Sequence, residues 1–267
     1  MTVVLADPPV LTEGAELAPG YEVVAHLSRG RTLDVYDLWS TARACRCVGK
    51  TLRPDCLGDA SARMRLQREG ALLTRLTHPH LVRAYEIVGD VVILETLAGE
   101  TLSHLIRTRA RRLPAADLAW LGLHLCSALH YLHGEGWLHL DLKPSNVVCD
   151  GGHAKVIDLS LARRPGPAPP GIGTAQYLSP EQARGAAVGP PADVWGLGAV
   201  LFTAATGQRP FGVGTPPEQL RRRARRVGEL RRLPAPLGAA IDACLEPEAD
   251  ARPTVAALAA ALEPFAG

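Results

Sequence analysis

A change of hydrophobic period near residue 100 constrains this chain more than any other feature. Up to Leu97, apolar and β-branched residues come in short runs, at 21–27, 34–39 and 46–52, broken by Gly, Ser, Arg and Thr. This is the pattern of a three-stranded meander. One helical stretch follows at 60–76, where Met64, Leu66, Leu72, Leu73 and Leu76 recur among charges until His78-Pro79 stops the run. The segments 81–87 and 91–94 flank Gly89-Asp90 and read as a hairpin. Beyond Thr101 the pattern becomes helical, with Leu- and Ala-rich stretches at 117–133, 192–206, 218–226 and 255–262 and a Gly/Pro-rich loop at 165–173. The expected fold is α+β with two lobes: an N-terminal extension at 1–20, a small antiparallel sheet lobe with one helix at 21–97, and a larger, mainly helical lobe at 98–267. A ligand cleft between the lobes is the expected place for a site.

Composition narrows the function classes. A length of 267 residues suits one large domain or two small lobes. Net charge is only +2, which argues against a general nucleic-acid or membrane-surface binder. The Arg-rich run Arg221-Arg222-Arg223-Ala224-Arg225-Arg226 lacks interleaved aromatics and reads as a solvated helix face, as does the run at 107–112. The first residues show no export signal and no stretch is long enough to span a bilayer, so the expected location is the cytoplasm. Six cysteines without paired C-x-x-C spacing read as reduced thiols, mostly buried. The histidines show no metal-ligand spacing, and His139 reads as a structural core residue. Only three of the 29 basic residues are lysines, Lys50, Lys143 and Lys155. Against such a bias toward arginine, a retained lysine marks a place that wants a compact point charge instead of a planar fork.

Two of those lysines fall in chemically suggestive segments. His139-Leu140-Asp141-Leu142-Lys143-Pro144-Ser145-Asn146 is followed twelve residues later by Asp158 in Asp158-Leu159-Ser160. Upstream stands Cys47-Val48-Gly49-Lys50, with Glu69 nineteen residues further on a helix. Downstream are Gly173-Thr174-Ala175-Gln176-Tyr177-Leu178-Ser179-Pro180-Glu181, then Asp193-Val194-Trp195-Gly196, then Arg252-Pro253. In this order and spacing the segments resemble the bacterial serine/threonine protein kinases of the eukaryotic-like (Hanks) type, over about residues 21–262. Phosphoryl transfer needs mainly positioning and neutralisation of charge on the moving phosphate, which these residue types supply.

The resemblance implies a role for each position. Asp141 orients the attacking hydroxyl and Lys143 meets the γ-phosphate; Asn146 and Asp158 hold Mg²⁺, with Mn²⁺ as the alternative. Lys50 contacts the α- and β-phosphates and pairs with Glu69. Leu27, Gly30, Val35, Val48, Leu94 and Val148 surround the nucleotide, and main-chain groups of Glu95 and Leu97 bond adenine. Thr174 and Glu181 belong to the segment that seats a protein substrate, Glu181 pairing with Arg252, and Asp193 braces the catalytic loop. The implied activity is transfer of the γ-phosphate of ATP to a Ser/Thr hydroxyl of a protein by a free-standing domain. Substrate, upstream signal and oligomeric state are not legible. A pseudokinase scaffold and a small-molecule phosphotransferase are the rivals; the intact polar set opposes the first, and Thr174 to Glu181 the second.

The sequence also departs from that pattern. Ser28 and Leu33 stand where the outer glycines of the phosphate-covering loop are expected, and only Gly30 remains, so the loop should be stiffer and grip ATP less well. Ser160 replaces a glycine. Leu140 replaces the arginine that receives an activation-loop phosphate, and residues 162–172 contain no Ser, Thr or Tyr. The two losses together predict an activation loop that phosphorylation does not switch.

Overall fold

The structure, a computed structural model, describes residues 7–108, 112–212 and 220–267. The chain divides into two compact units, one made of the described residues up to Thr77 together with Val82–Leu97, the other of His78–Leu81 and the described residues from Ala98 onward.

The first unit is a six-stranded antiparallel sheet with one helix. Strands β1 (Glu16–Ala18), β2 (Tyr21–Arg29), β3 (Leu33–Ser40), β4 (Cys45–Leu52), β5 (Ala84–Val88) and β6 (Val91–Glu95) run in the spatial order β1-β2-β3-β4-β6-β5. Alternation puts Tyr21, Val23, Tyr36, Leu38, Cys47 and Ile93 into a core that Val10 and Leu17 help to cover. Helix α1 (Ala60–Arg75) starts where the Asp59 carboxylate accepts the Ala62 N–H at 2.9 Å. Its buried face includes Leu66, Leu72 and Leu73 and lies on β4, β5 and β6. Gly70 permits that approach, because a Cβ there would stand 2.8 Å from the side chains of Ile87 and Val92. The meander, helix and hairpin fall where the periodicity places them. Strand β1 was too short to register, and β5 begins at Ala84 because Leu81 bridges instead to Val156 in the second unit.

In the second unit the helices are α2 (Leu102–Thr108), α3 (Ala115–Gly134), α4 (Pro180–Arg184), α5 (Pro190–Thr206), α6 (Val227–Leu230), α7 (Ala235–Ala243) and α8 (Val255–Leu262). Helix α5 is buried along nearly its whole length, and α3 packs against both α5 and α8. Trp195, Phe202, Leu118, Leu125, Leu129 and Leu132 fill the space between them. The lobe is mainly helical, and it also carries short strands: β7 (Glu100–Thr101), β8 (Val147–Asp150) and β9 (His153–Val156) form one small sheet, and β10 (Gly166–Pro167) pairs with β11 (Ala187–Val188). Strands of two to four residues are too short to show a period. Among the described residues no helix is long and apolar enough to cross a membrane.

The expected helix at 218–226 is corrected. Its first two residues lie outside the described ones, and residues 220–226 carry no α-helix, the chain turning helical only at α6. Arg221, Arg222, Arg223 and Arg226 are exposed, as expected, while two of the run reach main-chain carbonyls: Arg222 donates to Phe211 and Arg225 to Arg209 at 2.7 Å; beyond the run, Arg231 donates to Ala205 and Leu113 at 2.9 and 2.6 Å. The run at 107–112 lies partly outside the described residues; Arg107 reaches His104. All six cysteines are free thiols, and only Cys47, Cys126 and Cys244 are buried. Burial pushes the Cys126 thiol up to about 12.

Trp120, His124 and Tyr131 recur on one face of α3, and the His78–Leu81 segment closes over them. Ring centroids of His78 and Tyr131 are 5.1 Å apart, His80 and His124 4.2 Å, and His124 and Trp120 5.7 Å, with His153 5.7 Å from His124. Burial, and then the nearby charges of His80 and His153, push the pKa of His124 down to about 4. Unfolded histidine protonates near 6.5, so between about pH 6.5 and 4 the unfolded chain binds more protons and stability falls with falling pH. Melting temperatures recorded across that window should decline, and His124→Phe, which retains a ring, should make the decline shallower.

Candidate active site

The loop between α3 and β8 is held from below by a single carboxylate. Asp193, in the first turn of α5, accepts the His139 N–H at 2.8 Å and the Leu140 N–H at 2.7 Å, while His133 Nε2 lies 2.9 Å from the same group. Leu140 has φ +62°, a left-handed conformation that a leucine adopts only when its surroundings enforce it. Both of its peptide groups are fixed, the N–H by Asp193 and the carbonyl by Gln182 Nε2 at 2.8 Å. His139 is buried, as expected; its Nδ1 accepts the Asp141 N–H at 3.1 Å, and its Nε2 has no partner among the described residues.

Four predicted residues then meet. Lys143 Nζ donates to Asp141 Oδ2 at 2.6 Å and to Thr174 Oγ1 at 2.7 Å. The Thr174 N–H donates to Asp141 Oδ1 at 2.8 Å, and Asn146 Nδ2 to the Asp141 carbonyl at 3.0 Å. The sequence separation of Asp141 and Thr174, 33 residues, is closed by these bonds. Asp158 follows β9, where Oδ1 accepts the Ser160 N–H at 2.9 Å. Ser160 is not among the positions of positive φ, so its Cβ carries no backbone strain there.

The first unit carries the other half of the set. Lys50 on β4 donates to both carboxylate oxygens of Glu69 on α1 at 2.8 Å, and Glu69 is buried. Val35 and Val92 face Lys50 across the sheet from β3 and β6, and Val48 faces Leu94. Leu94 is buried, Leu97 half-buried and Leu27 exposed. The Glu95 N–H donates to the Arg83 carbonyl at 3.0 Å and is engaged within the sheet unit. Gly30 sits in the β2–β3 turn with its N–H on the Leu33 carbonyl at 2.8 Å. Val148 is in the second unit, on β8.

The last predicted element is the Thr174 to Glu181 segment. Ser179, standing where the resemblance expects alanine, is the N-cap of α4: its hydroxyl accepts the Gln182 N–H at 3.3 Å and Gln182 Oε1 accepts the Ser179 N–H at 3.1 Å. Gln182 Nε2 also reaches the Ile172 carbonyl at 2.8 Å, so this residue ties the segment to the catalytic loop. The S-x-x-Q spacing was a readable signal for it. Arg252 uses every donor of its guanidinium: Nη1 and Nη2 meet Glu181 at 2.7 and 2.9 Å, and the remaining hydrogens go to the carbonyls of Glu246, Pro191 and Pro247. Burial works to raise the Glu181 carboxyl, but the Arg252 bonds and charge overcome it and hold it below the usual carboxylate range.

A sheet unit with a closed Lys–Glu pair, and a helical unit with an Asp–Lys–Asn–Thr network, define a protein kinase fold. Among solved structures the chain is similar to the PknI kinase domain of Mycobacterium tuberculosis, at TM-score 0.75 and 23% identity, covering 96% of this chain and 100% of that one. Residues 21–262 match the protein kinase domain model, and the chain belongs to the protein kinase family. Its curated relatives include CBL-interacting protein kinase 4 of Oryza sativa subsp. japonica, 34% identical over 92% of this chain and 58% of the relative. Serine/threonine-protein kinase PknB of Mycobacterium tuberculosis is 33% identical over 77% of this chain and 35% of its own, and the probable serine/threonine-protein kinase SCO3848 of Streptomyces coelicolor 34% over 78% and 33%. The chain thus spans between a third and three fifths of the length of these relatives.

Removing one member of a buried, fully bonded pair leaves the other charge without a partner, at about 3–5 kcal/mol. Arg252→Gln should lower the unfolding free energy by that order. Arg252→Lys should not restore it, since an ammonium cannot satisfy five separate directions. Urea denaturation of both variants checks this.

Proposed function

We propose that this chain is a serine/threonine protein kinase that transfers the γ-phosphate of ATP, with Mg²⁺ as its metal, to a hydroxyl of a protein. The observation that carries the proposal is the Asp141 carboxylate, oriented on one oxygen by the Thr174 N–H and on the other by Lys143 Nζ. Asp141 would take up the substrate hydroxyl's hydrogen bond and orient its oxygen for attack. Lys143, tied to Thr174, would place positive charge beside the transferred phosphate, and Lys50, kept in place by Glu69, beside the other phosphates. Asn146 and Asp158 offer oxygen donors that fit a hard divalent cation completing its shell with phosphate oxygens and water. Bound there, the cation would neutralise charge on the phosphates. The Ser/Thr preference is supported by Thr174 on Lys143 and by the relatives' names.

The activation loop has a permanent anchor. Leu140, which replaces the phosphate-receiving arginine, is buried in an apolar cluster with Leu138, Ala168, Val188 and Ala192, against which Ile172 packs. Ala168 and Ile172 lie in the loop that lacks Ser, Thr and Tyr. Backbone bonds between Leu138 and Arg163, the pairing of β10 with β11, and Gln182 on Ile172 fasten the rest. These contacts support a loop seated by burial of apolar surface, with no added phosphate in this reading.

With labelled ATP and Mg²⁺, wild-type protein should label itself or a generic basic protein on serine or threonine, and Asp141→Asn should transfer about 10²–10⁴-fold more slowly. ATP binding without transfer to any acceptor would replace this reading with a scaffold. Mass spectrometry of active protein should find no phosphate on the hydroxyls that flank this stretch, Ser160, Thr174, Tyr177 and Ser179, and Leu140→Arg, which puts a charge into the apolar cluster, should cost most of the activity.

A further inference from the structure

The turn between β2 and β3 lacks the outer glycines, yet it is not loose. Ser28 pairs with Val35 and Leu33 with Leu52, so both strands run on through the expected glycine positions and only Gly30 to Thr32 remain as turn. What fixes it is an ion pair across the hairpin. Arg29 and Asp34 are register partners, and the Arg29 fork meets both Asp34 oxygens, Nε on Oδ1 and Nη2 on Oδ2, each at 2.8 Å. Asp34 is completely buried, and His26 Nε2 stands 3.1 Å from Oδ1. The activity proposed above assigns this buried carboxylate no role.

The pair is itself fastened to the segment before β1. Arg29 Nη1 donates to the Pro8 carbonyl at 2.6 Å, and the Leu11 N–H to the Tyr36 hydroxyl at 3.1 Å. Arg53, just past β4, closes the arrangement from the other side. Its N–H donates to the Thr32 carbonyl at 2.9 Å and its Nη1 to the Gly30 carbonyl at 3.3 Å, while Nη2 meets Asp7 at 2.6 Å and Asp55 at 2.8 Å. Residues 7–11 thus form a strap along the hairpin, and every peptide carbonyl that could swing at the turn's tip except that of Arg31 has a main-chain or guanidinium partner, the Arg31 carbonyl lying 3.9 Å from Cys56 Sγ.

We infer that Asp34, Arg29 and Arg53 are positioning residues for the nucleotide's phosphates, holding the Gly30 turn in one conformation through the strap at residues 7–11. The inference rests on the kinase reading. In a glycine-rich loop each binding event must order a backbone that samples many conformations. Here the ion pair orders it beforehand, which offsets the weaker approach that Leu33 imposes, because a preorganised binder loses less freedom when its ligand arrives. The residues touch neither reacting atom nor metal, so their loss acts on nucleotide binding and not on the transfer step.

The experiment uses the full chain with Asp34→Asn, which keeps the shape and removes the charge, and Arg53→Gln, which leaves the Arg29–Asp34 pair intact. Steady-state transfer is measured against ATP concentration, and amide hydrogen exchange is followed over residues 28–35. The expected result is a KM for ATP raised about tenfold in Asp34→Asn and about threefold in Arg53→Gln, with kcat within about twofold of wild type and faster exchange confined to the turn. Asp34→Glu should recover part of the affinity. If Asp34→Asn is too unstable to purify, Arg53→Gln decides alone. Wild-type KM and exchange in a folded variant would overturn the inference while leaving the kinase reading intact. Absence of transfer by the wild type would instead remove the reading on which it rests, and exchange at the turn would still report whether the pair orders it.

Discussion

The buried carboxylate of Asp193 is the contact on which the second unit's chemistry depends. It stands in the first turn of α5, where the helix dipole favours negative charge, and holds two successive N–H groups of the catalytic loop with a histidine beside it. Hydrogen bonds to a charged group in a dry interior are worth about 1.5–3 kcal/mol each, enough to keep Leu140 at a φ that its side chain resists. From that one turn two things follow. The leucine side chain enters the apolar cluster under the activation loop, and the next residue, Asp141, is delivered to Lys143 and Thr174. Position and strain are therefore two aspects of the same arrangement.

Several departures from the family pattern are resolved locally. Ser179 in place of alanine supplies the hydroxyl that caps α4, and its partner Gln182 joins that helix to the loop carbonyls of Leu140 and Ile172. Ser160 in place of glycine occupies ordinary backbone and gives its N–H to Asp158. Leu33 in place of glycine extends a strand whose neighbour, Asp34, brings an ion pair. At Ser179 the replacement makes a contact that alanine could not; at the other two the chain accepts a side chain without loss of backbone bonding.

What could be read from the sequence was what repeats or recurs in order. Alternation marks the strands of the first unit, and motif order singles out Lys50, Glu69, Asp141, Lys143, Thr174 and Asp193 as one set. The unread part consists of pairings between distant or differently patterned residues. Nothing in the spacing of His80, His124 and His153 announces three stacked rings, because the fold assembles them from a turn, a helix and a hairpin. The arginine run reads as a solvated helix face, and most of its side chains are exposed; the helix fails because Arg222 and Arg225 reach back to main-chain oxygens and residues 220–226 turn irregularly. The short strands of the second unit carry too few residues for any period.

A loop seated on leucine, alanine and valine differs from a phosphate clasped by arginine in what disturbs it. A phosphate clasp is an electrostatic device, weakened by salt and undone by hydrolysis of one ester. An apolar seat has no charge for salt to screen, offers a phosphatase nothing to remove, and loses strength on cooling as water's aversion to hydrocarbon fades.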